Sequence, residues 1–200
     1  MTDTAPRELP LQELAEVVIR FAGDSGDGMQ LTGDQFTSIS AALGNDLATL
    51  PEFPAEIRAP QGTLAGVSAF QVRISDFAIT TPGDAPTVLV AMNPAALKAQ
   101  LHNVVQGGAI ILNSDAFTER NLEKAGYESN PLEDGSLDGY RSYPVAMSQI
   151  TRDAVAVHGV KPRDAERSKN FINDFDISRL MRPLLTKHYA NSVLTGLTSY

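Results

Sequence analysis

Cysteine is absent from this chain of 200 residues. Its absence excludes disulfides, a cysteine nucleophile and iron–sulfur clusters held by cysteines of this chain. No apolar run approaches the roughly 18 residues that cross a bilayer, and residues 1–10 lack the basic and apolar regions of a signal peptide. We therefore expect a cytoplasmic protein that does not enter the membrane.

A positive net charge is also lacking, because the formal net charge is -8. An acidic protein repels phosphate backbones at long range, so we expect no nucleic-acid partner. Hydrophobic residues make up 42% of the chain and charged residues 20%, which are ordinary values for a globular protein. The length allows one domain with a proper core and is short for two.

Along the chain, short apolar runs alternate with segments whose apolar residues recur at helical spacing. Strands are predicted at residues 14–22, 46–50, 67–74, 87–92, 109–112 and 143–147. Helices are predicted at residues 29–43, 94–105, 117–125 and 149–157, the third of them capped from residues 113–115. Several strands are apolar throughout, as in a parallel sheet, whereas residues 67–74 alternate like a half-buried strand. The pattern predicts an α/β domain with a mainly parallel sheet.

A glycine-rich turn joins the first predicted strand to the first helix. It consists of Gly23, Asp24, Ser25, Gly26, Asp27 and Gly28. The glycine spacing is neither that of the dinucleotide fingerprint nor that of the P-loop. Glycines before a helix N-terminus favour an anion site, although the two carboxylates would repel a phosphate unless they point away. An alternative is that the turn needs glycine only for its backbone angles.

Other chemistry-bearing residues lack the spacing of a known site. His102, His158 and His188 have no partner three or four positions away, so we predict no metal site. Ser25 is not followed by the second glycine of a nucleophile elbow. The turn also lacks the paired asparagines of a thiamine diphosphate motif. We therefore predict no catalytic residue and no tightly held cofactor in this chain alone.

Five segments resemble one protein family in the right order. They read RFAGDSGDG at 20–28, LPEFPAEIRAPQGT at 50–63, VAMNPAAL at 90–97, NPLEDGSL at 130–137 and RSKNF at 167–171. Together they resemble the gamma domain of 2-oxoacid:ferredoxin oxidoreductases, in the form that begins the 2-oxoglutarate-type alpha subunit. The resemblance implies a Rossmann-like, three-layer domain.

The resemblance also implies a reaction. Such enzymes decarboxylate a 2-oxoacid on thiamine diphosphate, pass two electrons through iron–sulfur clusters to ferredoxin, and transfer the acyl group to coenzyme A. The residues of these segments resemble most the enzymes that use 2-oxoglutarate as the 2-oxoacid. The gamma domain packs against thiamine-binding domains or subunits and is associated with coenzyme A access. Thiamine diphosphate, Mg and the iron–sulfur clusters are expected in partner domains, subunits or ferredoxin, so this chain is not expected to be active alone.

Two further residues complete the predicted site. Arg58, in a proline-stiffened loop, is predicted to pair either with a coenzyme A phosphate or with Glu56 or Asp24. Asn93, after the next strand, is predicted to cap a helix or to contact a ligand. Because ligands of open α/β sheets gather at the carboxyl ends of the strands, we group Arg58 and Asn93 with residues 23–28 as cofactor-binding candidates.

The segments define a domain division. Residues 1–13 are expected to form a loose leader, residues 14–171 the gamma-type domain, and residues 172–200 an atypical tail that is helical or partly disordered. Truncation, a frameshift or a separate small subunit would each explain that tail. A stand-alone nucleotide- or coenzyme A-binding module and a truncated non-functional product are the alternative functions.

Overall fold

The structure is a computed structural model that describes residues 14–42, 44–56 and 59–156. The strands are β1 (Glu16–Asp24), β2 (Asp46–Glu52), β3 (Val67–Ser75), β4 (Val88–Ala91), β5 (Ala109–Asn113) and β6 (Arg141–Val145). The helices are α1 (Met29–Ala42), α2 (Pro94–Gln100), α3 (Glu119–Lys124) and α4 (Met147–Ala156). The predicted leader, the predicted tail and the fifth motif at 167–171 lie outside the described residues, so the domain division stays a prediction.

The strands form one six-stranded sheet in the order β2-β3-β1-β4-β5-β6. Parallel pairing joins β1, β4, β5 and β6, whereas β3 is antiparallel to both of its neighbours, β1 and β2. Because β2 therefore runs in the same direction as β1, only β3 is reversed. The predicted mainly parallel α/β sheet is confirmed.

Helices cover both faces of the sheet. Side chains along each strand point alternately to the two faces, so each face contributes to its own apolar cluster. One face carries Ile19 and Phe21 against Phe36 of α1 and Met147 of α4. The opposite face packs on the apolar residues of α2 and on Leu122 of α3. The result is the predicted three-layer arrangement. Within the ranges that the structure describes, no helix is both long and apolar enough to span a bilayer.

Besides shifts of up to two residues at strand ends, β2 and β3 differ from the sequence-based expectation. The predicted strand at 46–50 continues to Glu52 through Pro51, which is tolerated because β2 is the edge of the sheet. The strand at 67–74 was expected to be half-buried, but β3 is buried on both faces because its side chains join the apolar clusters on both sides of the sheet. Its polar Gln71 accepts a hydrogen bond from Arg20 and donates to two carbonyls of the 82–83 turn, so burial leaves the amide satisfied.

The predicted cap of the third helix was also wrong. The helix α3 begins at Glu119, and the hydroxyl of Thr118 accepts the Asn121 N–H at 3.4 Å. Residues Ser114–Ala116 instead form a short 3-10 turn. The Asp115 carboxylate accepts the backbone N–H of Gln149 at 2.8 Å, which ties this turn to the first turn of α4.

A buried arginine links the antiparallel half of the sheet to α2. Arg20 donates to Gln100 at 2.7 Å and to Gln71 at 3.0 Å, and it forms an ion pair with Glu52. Burial lowers the pKa of Arg20 from its ordinary value. An arginine remains protonated at neutral pH despite such a shift, so the network joins β1, β2, β3 and α2 around a buried positive charge.

Candidate functional site

The chain reverses its winding direction between β1 and β4. The helix that follows β1 packs on one face of the sheet, and the helix that follows β4 packs on the other. In open α/β sheets such a switch opens a crevice beyond the carboxyl ends of the two strands. The residues at this crevice are the glycine-rich turn after β1 and Asn93 after β4.

The glycine-rich turn is compact. After β1 ends at Asp24, Ser25–Asp27 form a 3-10 turn, and Gly28 adopts a left-handed φ of 73° before α1 begins. The Asp27 carboxylate accepts the backbone N–H of Asp24 at 2.9 Å, which closes the turn on itself. A Cβ added at Gly23 would lie 3.0 Å from Asp27 Oδ2, whereas one added at Gly26 would meet nothing within 4 Å. Side-chain crowding at Gly23 and the left-handed φ of Gly28 therefore explain two of the three glycines.

The Asp24 carboxylate reaches a second family segment. Its two oxygens accept the Gly62 N–H at 3.0 and 3.2 Å. Asp24 itself is buried, so this contact holds the 61–62 turn over the end of β1. Arg58, the predicted alternative partner of Asp24, lies outside the described residues, and its predicted role stays a prediction.

Asn93 joins the turn to α2. Its Oδ1 accepts the Ala96 N–H at 2.8 Å, so Asn93 is the N-cap of α2, as the capping interpretation predicts. Its Nδ2 also donates to Asp27 Oδ2 at 3.4 Å. The side chain therefore holds the loops after β1 and β4 against each other.

A cavity of about 410 Å³ opens beside these residues. Of the eight predicted site residues, Asp24, Asp27 and Asn93 line it. Gly23 and Gly28 shape the backbone behind it, whereas Ser25 and Gly26 are exposed outside it. The remaining lining residues come from the 61–62 turn, from the two neighbours of Asn93, from the end of β5 with the 114–116 turn, and from α3 and α4. The sequence did not connect the end of β5, the 114–116 turn, α3 or α4 with the glycine-rich turn.

Asn113 is the first lining residue that sequence reasoning missed. This last residue of β5 is 1% exposed. Its Nδ2 donates to the Met92 carbonyl and to Ser148 Oγ, both at 3.4 Å, and its Oδ1 has no hydrogen-bond partner among the described residues. Its place after a buried strand, like that of Asn93, is the signal that would have found it.

The cavity also contains opposite charges. Its three carboxylates each accept a backbone N–H, and they are Asp24, Asp27 and Asp115. Its two cationic side chains come from opposite sides, Lys124 at the end of α3 and Arg152 in α4. Lys124 Nζ donates to the Gln61 carbonyl at 3.3 Å. Nothing in the sequence indicated Lys124, because its position depends on how α3 docks.

The family segment at 130–137 lies away from the cavity lining. Hydrogen bonds from Ser129 and Ser136 lower the pKa of the Asp134 carboxyl. Burial, helped by the charge of Asp134, raises the pKa of Tyr127 to about 12. We assign this segment a structural role in the turn after α3.

No group of three or more histidine or acidic side chains suited to a metal occurs within the parts of residues 14–156 that are described. The cavity instead combines fixed carboxylates, asparagine amides and two cations. Carboxylate and amide oxygens accept hydrogen bonds, and a lysine or arginine pairs with phosphate. Because the three carboxylates would repel an anion, the arrangement suits a polar ligand whose N–H or O–H donors face the carboxylates and whose negative charge lies beside the cations.

Comparisons with known proteins agree with this architecture. The family described as "Pyruvate ferredoxin/flavodoxin oxidoreductase" matches residues 18–199. The 2-oxoglutarate oxidoreductase subunit KorA of Mycobacterium tuberculosis is 61% identical over 159 residues, which are 80% of this chain and 24% of that protein. The chain thus spans about a quarter of the length of this relative.

Two solved structures share the fold. One is the 2-oxoglutarate:ferredoxin oxidoreductase of Magnetococcus marinus with 2-oxoglutarate, coenzyme A and succinyl-CoA bound. The similarity has a TM-score of 0.61 at 23% sequence identity and covers 94% of this chain and 28% of that one. The other is the gamma subunit of a keto/oxoacid ferredoxin oxidoreductase from Geobacter sulfurreducens, at a TM-score of 0.58, 18% identity, 92% of this chain and 86% of that one. With the family match over residues 18–199, the chain belongs to the pyruvate ferredoxin/flavodoxin oxidoreductase family.

Proposed function

We propose that this chain is the gamma component of a 2-oxoglutarate:ferredoxin oxidoreductase and that its cavity holds part of coenzyme A. The observation that carries the proposal is the contact between Asp24 and Gly62, with distances of 3.0 and 3.2 Å. This contact brings two separate family segments, the glycine-rich turn and the 61–62 turn, to one cavity at the switch point of the sheet.

The choice of 2-oxoglutarate as the substrate rests on sequence identity. A relative at 61% identity over 80% of the chain is named a 2-oxoglutarate oxidoreductase subunit. The Magnetococcus enzyme, which binds 2-oxoglutarate, coenzyme A and succinyl-CoA, supports the fold only, because it is 23% identical. In the proposed reaction the oxo group of 2-oxoglutarate is oxidised, the acyl group goes to coenzyme A, and an iron–sulfur protein accepts the electrons.

The cavity has a size and chemistry that suit part of coenzyme A. A volume of about 410 Å³ falls in the range of roughly 300–1,000 Å³ that is usual for ligand pockets. The pantetheine amides would find acceptors there and the phosphates would find cations. Among the predicted candidates, Asp24, Asp27 and Asn93 would line the ligand, and Gly23, Ser25, Gly26 and Gly28 would form the turn beside it. Arg58 keeps its proposed phosphate-pairing role.

The described residues do not fit the other cofactors of such an enzyme. The chain has no cysteine for an iron–sulfur cluster. The described part of the chain also has no cluster of acidic or histidine side chains to hold the Mg of thiamine diphosphate. We therefore place thiamine diphosphate, Mg and the clusters in partner domains, subunits or ferredoxin. The chain would act with these partners in the cytoplasm.

An exposed apolar patch supports docking to the thiamine-binding partner. Phe53, just beyond the end of β2, is 71% exposed, and Leu31 of α1 is 44% exposed. Gln30 donates to the Glu52 carbonyl at 3.4 Å, which places the start of α1 beside the end of β2. Contiguous exposed apolar surface on a soluble domain commonly marks a binding interface. The patch therefore provides a surface for the thiamine-binding domain or subunit.

A docking assay tests this surface with a matched pair of variants. Phe53→Ser should weaken co-purification with the thiamine-binding partner. Phe77→Ser should leave it unchanged, because Phe77 is also exposed, at 48%, but lies beyond the opposite end of the β2–β3 pair. Equal loss in both variants would contradict the assignment of this patch.

The activity test uses the chain with and without its partners. We expect 2-oxoglutarate- and coenzyme A-dependent reduction of ferredoxin or viologen only when the thiamine-binding partner is present. Turnover by the purified chain alone would overturn the proposal. If calorimetry instead showed tight binding of coenzyme A or a dinucleotide and no thiamine-binding partner could be recovered, a stand-alone binding module would be the better function.

A further inference from the structure

We propose that Asn113 and Lys124 select the ligand of the cavity. Asn113 Oδ1 accepts a hydrogen bond from an N–H or O–H group of the ligand, and the Lys124 ammonium pairs with a ligand phosphate. The inference rests on the proposed function, because it takes coenzyme A as the compound that carries both groups. Neither residue belongs to the family segments on which the resemblance depends.

The argument for Asn113 starts from its unpaired oxygen. The side chain is 1% exposed and lines the cavity, yet Oδ1 has no partner in the described part of the chain. Reversing the amide would not help, because the oxygen would then face the Met92 carbonyl, which accepts from Nδ2 at 3.4 Å. Native proteins leave few buried polar atoms unpaired. The missing partner is a donor on the ligand, which reaches the buried Oδ1 at the end of β5 with a small movement of the cavity wall.

The argument for Lys124 starts from its charge. Its Nζ donates to the neutral Gln61 carbonyl at 3.3 Å, which uses one of the three ammonium donors. Within the described ranges, the ion pairs involve Arg20 and Arg73 and not Lys124. The lysine stem lies over Gly62, where an added Cβ would be 3.4 Å from Lys124 Cδ. The exposed ammonium thus lies at the cavity wall with no ion pair among the described residues and with two donors left for a ligand.

The two groups together define the ligand class. A 2-oxoacid dianion offers no N–H or O–H donor to Asn113, so the cavity should discriminate against 2-oxoglutarate itself. Coenzyme A offers amide N–H groups in its pantetheine half, and an adenine amino group and phosphates in its nucleotide half. Binding of the two halves separately shows which half contacts each residue.

The Lys124 test uses the intact enzyme and calorimetry with coenzyme A, pantetheine and the nucleotide half. Lys124→Met should weaken coenzyme A and the nucleotide half about tenfold and leave pantetheine unchanged, because a charge-assisted contact is lost. Arg120→Met removes the same charge from an exposed site on the same helix, outside the cavity lining. It should change each affinity less than about twofold. Wild-type affinity of Lys124→Met for the nucleotide half would overturn the role of Lys124.

The Asn113 test separates its acceptor from its bulk. Asn113→Leu, which keeps the bulk and removes the acceptor, should weaken the half of coenzyme A that donates to Asn113 about tenfold and leave the other half within about twofold. Thermal melting of each variant reports whether the fold survives. If Asn113→Leu does not fold, N-methylated pantetheine and N-methylated adenine nucleotide replace the variant, and one of them should bind the wild-type enzyme about tenfold more weakly. Unchanged affinities throughout would mean that no ligand donor reaches the buried Oδ1, and would overturn the role of Asn113.

The outcomes also separate this inference from the proposed function. If coenzyme A binds the wild-type enzyme and every variant equally, the ligand-selecting roles are wrong and the proposed function stands. If coenzyme A does not bind the wild-type enzyme, both fail together.

Discussion

The three glycines of the turn should respond differently to the same substitution. At Gly23, an added Cβ would lie 3.0 Å from Asp27 Oδ2 and 3.1 Å from Met92 Cβ. Gly28 has a φ of 73°, which L-residues rarely adopt. At Gly26 an added Cβ would meet nothing within 4 Å, and the residue is not among those with positive φ.

These contacts set the expected magnitudes. Gly23→Ala should cost about 1–3 kcal/mol, as an extra methyl forced into a packed site does. Gly28→Ala should cost about 1–2 kcal/mol, because a left-handed backbone angle is strained for alanine. Gly26→Ala should be neutral or stabilise by about 0.4–1 kcal/mol, because alanine restricts the unfolded chain without straining the folded one.

Urea unfolding of the three variants checks this order. The free energy of unfolding should fall for Gly23→Ala and Gly28→Ala and hold or rise for Gly26→Ala. A Gly26→Ala variant that is the least stable of the three would refute the described turn. Because Gly26→Ala keeps the fold, an unchanged coenzyme A affinity in that variant would also count against direct contact between Gly26 and the coenzyme.

Three further predictions concern the core and the pH response. Thr32 Oγ1 is buried without a partner in the described chain, so Thr32→Val should raise the free energy of unfolding by about 1 kcal/mol, and Thr32→Ser should lower it in the same urea assay. Gly33→Ala should lower the melting temperature despite its better helix propensity, because the new methyl would overlap the ring of Phe70; a higher melting temperature would contradict this packing. The pKa of Tyr127 is raised to about 12, so stability should be full below the unfolded value near 10 and fall as pH rises from there towards 12. Asp134→Asn should lower the tyrosinate midpoint in an ultraviolet titration, because the charge of Asp134 contributes to that shift.

The sequence predicted the parallel half of the fold well. The strands β4 and β5 are apolar almost throughout, and β1 is a nearly continuous apolar run interrupted by Arg20, which is the pattern of strands buried on both faces. It did not predict the burial of β3, because the polar residues of β3 are satisfied by long-range partners such as Arg20. Such partners depend on the strand order, which local periodicity does not contain.

The candidate site could be predicted only in part. The turn and Asn93 stand next to buried strands, and this adjacency identified Asp24, Asp27 and Asn93 as neighbours. Asn113 occupies a similar strand end and was interpreted as a helix cap instead. Lys124 had no local signal. It is the last residue of the short helix α3, and it reaches the cavity only because this helix docks near the 61–62 turn, which is distant in sequence.

Hydrogen exchange on the assembled enzyme, with and without coenzyme A, tests the central claim most directly. If the cavity holds the coenzyme, its addition should slow exchange of backbone amides in the glycine-rich turn, in the 61–62 turn and at the end of β5. The amides of β2 at the sheet edge, away from the cavity, should not change. Protection that spares all three cavity segments, while coenzyme A is demonstrably bound to the enzyme, would contradict the claim.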